Sequence, residues 1–123
     1  MLPSISMGGS ADRRAQRLRL SADGSEVIID EGRQQITIGR ADENDLVIRG
    51  NLISRIHARI EVSRNKFLLV DQSTNGTFVH AEDGEESFVR RDSMQLKGSG
   101  TIGLGRVPEP GSPQTIRFVC EEA

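Results

Sequence analysis

The sequence has no tryptophan, no tyrosine and only four phenylalanines in 123 residues. A core for a chain of this length must therefore be built from Ile, Val and Leu, which pack well on a pleated surface. Cysteine occurs once, at Cys120. That excludes an intrachain disulfide, and one Cys with two His at these spacings assembles no zinc ligand set. Such scarcity fits a reducing compartment and a cytoplasmic setting. No apolar run approaches the ~20 residues needed to cross a bilayer, and the first ten residues lack the charged start and apolar middle of a secretion signal. Charge of either sign is not in excess: 16 Lys and Arg stand against 18 Asp and Glu, for a net charge of −2. A sequence-wide attraction to nucleic acid is thereby excluded. Lysine is almost missing too, because 14 of the 16 basic residues are Arg. A guanidinium is a planar fork that holds oxyanions through two bonds, so local anion recognition stays open, although for most of these arginines compositional bias is the simpler reading.

What the chain does have is a succession of short alternating or β-branched runs separated by turn residues. Residues 1–15 carry Gly8-Gly9-Ser10 and no apolar period, and are read as linker or expression-derived sequence without order, leaving one domain over 16–123. Arg17 to Leu20 alternates, Ala22-Asp23-Gly24 signals a turn, and Glu26 to Ile29 is β-branched, which together predict a hairpin. Gln35 to Ile38 alternates into Gly39-Arg40. Ala41 to Asp45 is polar; Asp42, Asn44 and Asp45 lie close together, but EF-hand spacing, its central Gly and its terminal Glu are absent, so a solvated capping loop is expected rather than a calcium site. Strands are predicted at Leu46 to Ile48, Ala58 to Val62 and Lys66 to Val70, the last an apolar run of the length of a strand buried on both faces. Further extended pieces follow at Phe78-Val79, Ser87 to Val89, Ser93 to Leu96, within Gly98 to Arg106, and at Thr115 to Cys120. About ten short strands with no helical period indicate an all-β sandwich.

Three apparent chemical motifs fail on context. Gly98-Ser99-Gly100-Thr101-Ile102-Gly103 spells the dinucleotide fingerprint, but that motif works by setting pyrophosphate on a helix N-terminus. Leu104-Gly105-Arg106-Val107-Pro108 cannot start such a helix, so a turn and a strand are expected. Asn75-Gly76-Thr77 is a glycosylation sequon by spelling and a turn by chemistry. Ser54, His57 and Asp71 suggest a hydrolytic triad, yet Ser54 and His57 stand three apart at a strand entrance, where alternation sends them to opposite faces, and no nucleophile elbow is present.

A non-catalytic anion site remains. Arg40, Ser54, Arg55, Thr74 and Asn75 lie at loop ends of successive strands, and a sandwich gathers such loops at one edge. A phosphate monoester carries nearly two charges and three strong acceptor oxygens. Arg can bind it bidentately, Ser and Thr hydroxyls can donate, and an Asn amide can clamp the backbone beside it. Gly39, His57 and Gly76 fit loop-supporting roles.

These residues stand in three ordered blocks: Ile38-Gly39-Arg40 with Asn44-Asp45-Leu46-Val47-Ile48, then Ser54-Arg55-Ile56-His57-Ala58, then Asp71 through Val79. In that order the chain resembles the forkhead-associated (FHA) domain from about Leu18 to Val119, most densely from Ile36 to Val79. The resemblance implies an FHA-type (SMAD/FHA-like) β-sandwich of about eleven strands in two sheets, a binding module and not an enzyme, needing no cofactor. It further implies that Arg40 supports the peptide backbone and phosphate, Ser54 donates to the phosphate, Arg55 pairs with it, Thr74 lines the phosphothreonine pocket and Asn75 holds the peptide main chain. Phosphothreonine would be preferred to phosphoserine through a small pocket for the γ-methyl group, with Leu52 or a neighbour reading the third residue onward. The sequence departs from the family where His80 follows Val79 and Ala81 to Glu86 makes a longer polar hairpin. From Phe78 to Gly105 the chain is similar to FHA modules attached to bacterial class III adenylate and guanylate cyclases. The expected partner is a phosphothreonine protein or peptide, a Ser/Thr kinase substrate, with intramolecular docking to a parent catalytic domain as a further expectation; neither nucleic acid nor membrane is expected. The alternative is a phosphate-independent interaction or dimerisation module.

Overall fold

A computed structural model describes residues 16–122 of the chain; the linker expected over residues 1–15 lies outside them. Among the described residues eleven strands run in order: β1 (Gln16–Ala22), β2 (Ser25–Ile29), β3 (Gln35–Gly39), β4 (Leu46–Val47), β5 (Ala58–Ser63), β6 (Lys66–Asp71), β7 (Thr77–Ala81), β8 (Glu86–Val89), β9 (Ser93–Leu96), β10 (Ser99–Leu104) and β11 (Thr115–Glu122). They form two sheets, one ordered β2-β1-β11-β10-β7-β8 and the other β9-β6-β5-β3-β4. Every pairing is antiparallel except β3 with β4, where Ile38 faces Leu46 and Gly39 faces Val47.

Period-two burial drives the arrangement, because alternate side chains of a strand point to opposite faces. Leu18, Leu20, Ile29, Ile102, Ile116 and Phe118 from the six-stranded sheet, and Ile36, Ile38, Ile60, Phe67 and Leu69 from the five-stranded one, are almost wholly buried in a single core. Each such side chain contributes about 1.5–3 kcal/mol on burial, and truncation of Ile60 to Ala would cost roughly 2–5 kcal/mol. Two-residue turns close the β1–β2 and β5–β6 hairpins as the turn chemistry requires. Asp23 and Gly24 both take positive φ, as do Arg64 and Asn65, the geometry whose twist matches that of the flanking strands. β6 differs from expectation. Phe67, Leu69 and Asp71 face inward while Lys66 is exposed and Leu68 and Val70 are only half-buried, so a single face packs on the core. The segment spelled as a dinucleotide motif forms a bend at Gly98 and then β10.

Candidate functional site

Gly39 ends β3 where the chain must pass against another loop. A Cβ there would collide with the carbonyl of Arg55 and lie 2.9 Å from the Asn44 amide nitrogen, so only glycine permits the approach. The loops before and after then lock together. Arg40 N donates to Ser54 O at 3.1 Å, Ala41 N to Arg55 O at 3.2 Å, and His57 N to Ile38 O at 2.8 Å. Arg40 also uses its Nε to hold Ile53 O at 2.9 Å, which leaves the remaining donors of an exposed guanidinium uncommitted. Arg55, equally exposed, has one charged neighbour, Glu43 at 3.6 Å, with both side chains about two-thirds accessible (66% and 65%).

The third block joins through Ser54 and Asn75. Ser54 Oγ accepts the amide hydrogen of Thr74 at 3.2 Å. Its own proton meets no acceptor among the described residues, so the hydroxyl is free to donate. Asn75 Nδ2 donates to Leu52 O at 3.0 Å. Arg40, Arg55, Thr74 and Asn75 are exposed and Ser54 is half-buried, whereas Gly39, His57 and Gly76 are buried beneath them. The five candidate contacts thus share one edge, and the three supporting residues lie under it. A 200 Å³ groove floored by Val79, Met94 and Phe118 lies between the β7–β8 hairpin and β9.

His57 holds this edge from below and performs no base chemistry. Backbone amides only donate, so the 3.0 Å contact from Ser54 N makes Nδ1 an acceptor and puts the single proton on Nε2, which donates to Gly76 O at 2.8 Å. Burial holds the imidazole below its ordinary pKa, outweighing the opposing pull of the Gly76 carbonyl and the Asp71 carboxylate. Asp71 Oδ1 lies 3.8 Å from Nε2, and neither ring nitrogen is bonded to Ser54 Oγ, so no triad is assembled. Gly76 takes φ +88°, and a Cβ there would strike the ring of Phe88, which explains glycine after Asn75.

Asp71 organises the turn that presents Thr74 and Asn75. Its carboxylate accepts from Ser73 N at 3.0 Å, Ser73 Oγ at 2.8 Å, Thr77 Oγ1 at 2.6 Å and Arg91 N at 2.9 Å. Burial works against the charged form, but these donors prevail and hold the carboxyl below its usual range. Ser73 Oγ in turn accepts from Gly76 N at 2.7 Å.

Sequence reasoning missed three residues here. Asn44, read as part of a solvated loop, is buried, and its Nδ2 bridges Ala41 O at 2.8 Å and Arg55 O at 2.7 Å. Asp45 likewise faces the sheet, accepting from Thr37 N at 2.8 Å. The third is Arg90, whose Nε donates to Thr74 O at 2.8 Å. An Asn four residues beyond Arg40 was a visible signal for Asn44; Arg90 had none but its charge.

Comparison with known proteins identifies the family. The family model for the FHA domain matches residues 36–105. No curated protein matches the chain. Among solved structures, the first FHA domain of Rv1747 from Mycobacterium tuberculosis is similar at 20% identity, with a TM-score of 0.64 over 88% of this chain and 99% of that one. The MEK1 FHA domain in complex with a HOP1 phosphothreonine peptide is 23% identical, TM-score 0.60, over 85% of this chain and 95% of that one. The FhaA FHA domain complexed with the intracellular domain of Rv3910 is 25% identical, TM-score 0.54, over 86% and 99%. With two sheets of the same architecture and a family match covering more than half of its length, the chain belongs to the FHA domain family.

Proposed function

We propose that the chain binds phosphothreonine peptides with the edge formed by Arg40, Ser54, Arg55, Thr74 and Asn75, and that it catalyses no reaction. The observation that carries this reading is the Ser54–Thr74 contact: a hydroxyl fixed by an incoming amide at 3.2 Å keeps its proton for a ligand oxygen, and Arg40 and Arg55 are exposed on the neighbouring loops. Fixed donors beside exposed arginines suit a dianionic phosphate, and each charge-assisted bond contributes about 1.5–3 kcal/mol. Asn75, tied to Leu52 O through Nδ2, keeps its side-chain oxygen for a peptide amide. The similar MEK1 domain is in complex with a phosphothreonine peptide, which supports phosphothreonine-peptide binding here. Kinase-phosphorylated proteins of the cytoplasm are the proposed ligands. Regulation of a larger signalling protein such as a nucleotidyl cyclase, including docking to its catalytic domain, is the proposed setting, and it rests on the similarity of residues 78–105 to cyclase-linked modules.

A degenerate peptide library with a central phosphothreonine, its unphosphorylated counterpart and a phosphoserine version test the reading by direct binding. Retention of the phosphothreonine library alone is expected. Equal retention of the unphosphorylated library overturns the reading in favour of phosphate-independent docking, and equal retention of phosphoserine removes the methyl pocket.

A further inference from the structure

Arginines with and without carboxylate partners are not spread evenly over the molecule. Most of the described ones lie at ion-pair distance from an acid, among them Arg49 with Asp42 and Arg55 with Glu43 at the candidate site. Arg40, Arg64, Arg90, Arg91 and Arg106 have no such neighbour among the described residues. Three of these five are anchored in the same way on the same edge: Arg40 Nε on Ile53 O at 2.9 Å, Arg90 Nε on Thr74 O at 2.8 Å and Arg91 Nε on Ser73 O at 2.9 Å. Each anchor uses one donor and leaves the terminal nitrogens of the fork. Guanidiniums held in fixed positions without a carboxylate at ion-pair distance among the described residues repel one another.

The anchors stand on either side of the Ser54–Thr74 seam. Arg40 is tied to Ile53 and, through its backbone, to Ser54; Arg90 is tied to Thr74, whose amide meets Ser54 Oγ. A phosphate seated on Ser54 and Arg40 therefore leaves a second fixed cation across the seam. Arg90 and Arg91 are both exposed and each side chain carries one anchor; Arg91 contributes less, since its anchor on Ser73 O is part-buried and its backbone amide is bound to the Asp71 carboxylate, whereas the Arg90 anchor lies in the open. We infer that Arg90 is a specificity-determining residue of this site, which selects phosphopeptides bearing a second anionic side chain, Asp or Glu, close to the phosphothreonine.

This inference rests on the phosphothreonine reading above and adds the class of sequence that surrounds the phosphate. Because Arg90 is exposed, its contribution is that of a rim charge: a modest preference that weakens as salt screens it. An acidic flanking residue is expected to raise affinity about three- to fivefold over its amide counterpart at low salt.

The test uses the full chain and phosphothreonine peptide libraries in which each flanking position is fixed in turn as Asp or as Asn, with the Asp-to-Asn affinity ratio as the readout. The wild type is expected to give a ratio above about three at one or two positions, falling as salt is raised. Arg90→Gln is expected to bring that ratio to about one, and Arg90→Lys, which keeps the charge and loses the Thr74 anchor, to retain part of it. A wild-type ratio of one at every position overturns the inference while leaving phosphothreonine binding intact. So does an Arg90→Gln ratio equal to that of the wild type. If Arg90→Gln binds nothing, the Lys variant decides: a preserved ratio supports charge recognition, and a lost one assigns Arg90 to holding the Thr74 loop. Equal binding of phosphorylated and unphosphorylated libraries by the wild type is a different failure, that of the site reading itself, and removes the inference with it.

Discussion

His57 donates from Nε2 to the carbonyl of Gly76 at 2.8 Å, and that carbonyl also accepts the amide of Gly105 at 2.9 Å. Through its other ring nitrogen His57 receives Ser54 N at 3.0 Å. One buried imidazole therefore joins the loop that carries Ser54 and Arg55 to the turn that carries Thr74 and Asn75. The ring does this only when neutral, because a proton on Nδ1 would confront the Ser54 amide hydrogen.

A pH dependence of stability follows from that geometry. Burial depresses the folded-state pKa of His57, whereas the unfolded chain takes up its proton near the ordinary value of about 6.5. The unfolded state then binds more protons, so the stability His57 contributes is full above about pH 6.5 and is lost as pH falls towards the folded pKa. Thermal unfolding of the wild type should be level from pH 7 to 8 and fall below 6.5, and His57→Gln should lack that part of the slope. Parallel profiles for the two proteins would show that His57 does not titrate in this way. Asp71, also depressed, acts lower: its contribution is present above about pH 4 and is lost as pH falls further.

Asp71→Asn tests the turn network. The substitution sets an amide against four donors that now meet a carboxylate, and removal of buried charge-assisted bonds costs about 2–4 kcal/mol. Denaturant unfolding should show this loss with an unchanged slope. A change below about 0.5 kcal/mol would mean that the network does not hold the turn.

Asn75→Ala separates contact from support. Asn75 is exposed and makes a single side-chain bond, to Leu52 O, so its loss should cost no more than about 1 kcal/mol of stability. Binding of phosphothreonine peptides should nevertheless be abolished. Retained binding, or a large drop in melting temperature, would make Asn75 a structural residue.

In the proposed binding mode Glu43 competes with the ligand for Arg55. At 3.6 Å and two-thirds exposed the pair is worth little to the fold, and an incoming phosphate must displace the carboxylate. Glu43→Gln should leave the melting temperature within a degree or two and tighten phosphopeptide binding by about two- to fivefold at low salt. Weaker binding in the variant would show that Glu43 positions Arg55.

Much of the fold was legible because its signals are local. Alternation from Arg17 to Leu20, the turn at Asp23-Gly24 and the β-branched run to Ile29 are each complete within a few residues, and the hairpin formed as read. The three blocks of the site were legible for the same reason: each is a short ordered string. What escaped depends on contacts made across the chain. Asn44 looks solvated until Arg55 O, eleven residues on, comes within 2.7 Å. Arg90 looks like one arginine among fourteen until its Nε meets Thr74 O, sixteen residues back. The outer face of β6 looked buried because Leu68 and Val70 are apolar, yet both stay only half-buried. Periodicity reports which face of a strand is apolar and carries nothing about what covers it.

The central claim is that the Ser54–Thr74 seam, with Arg40 beside it, receives a phosphate. Isothermal titration of a phosphothreonine peptide selected from the library, set against its unphosphorylated twin, tests this most directly when repeated with Arg40→Ala and Ser54→Ala. The wild type should bind only the phosphorylated peptide, and each substitution should weaken binding at least tenfold while the protein remains folded. Equal affinity for the two peptides, or undiminished binding by both variants, would contradict it.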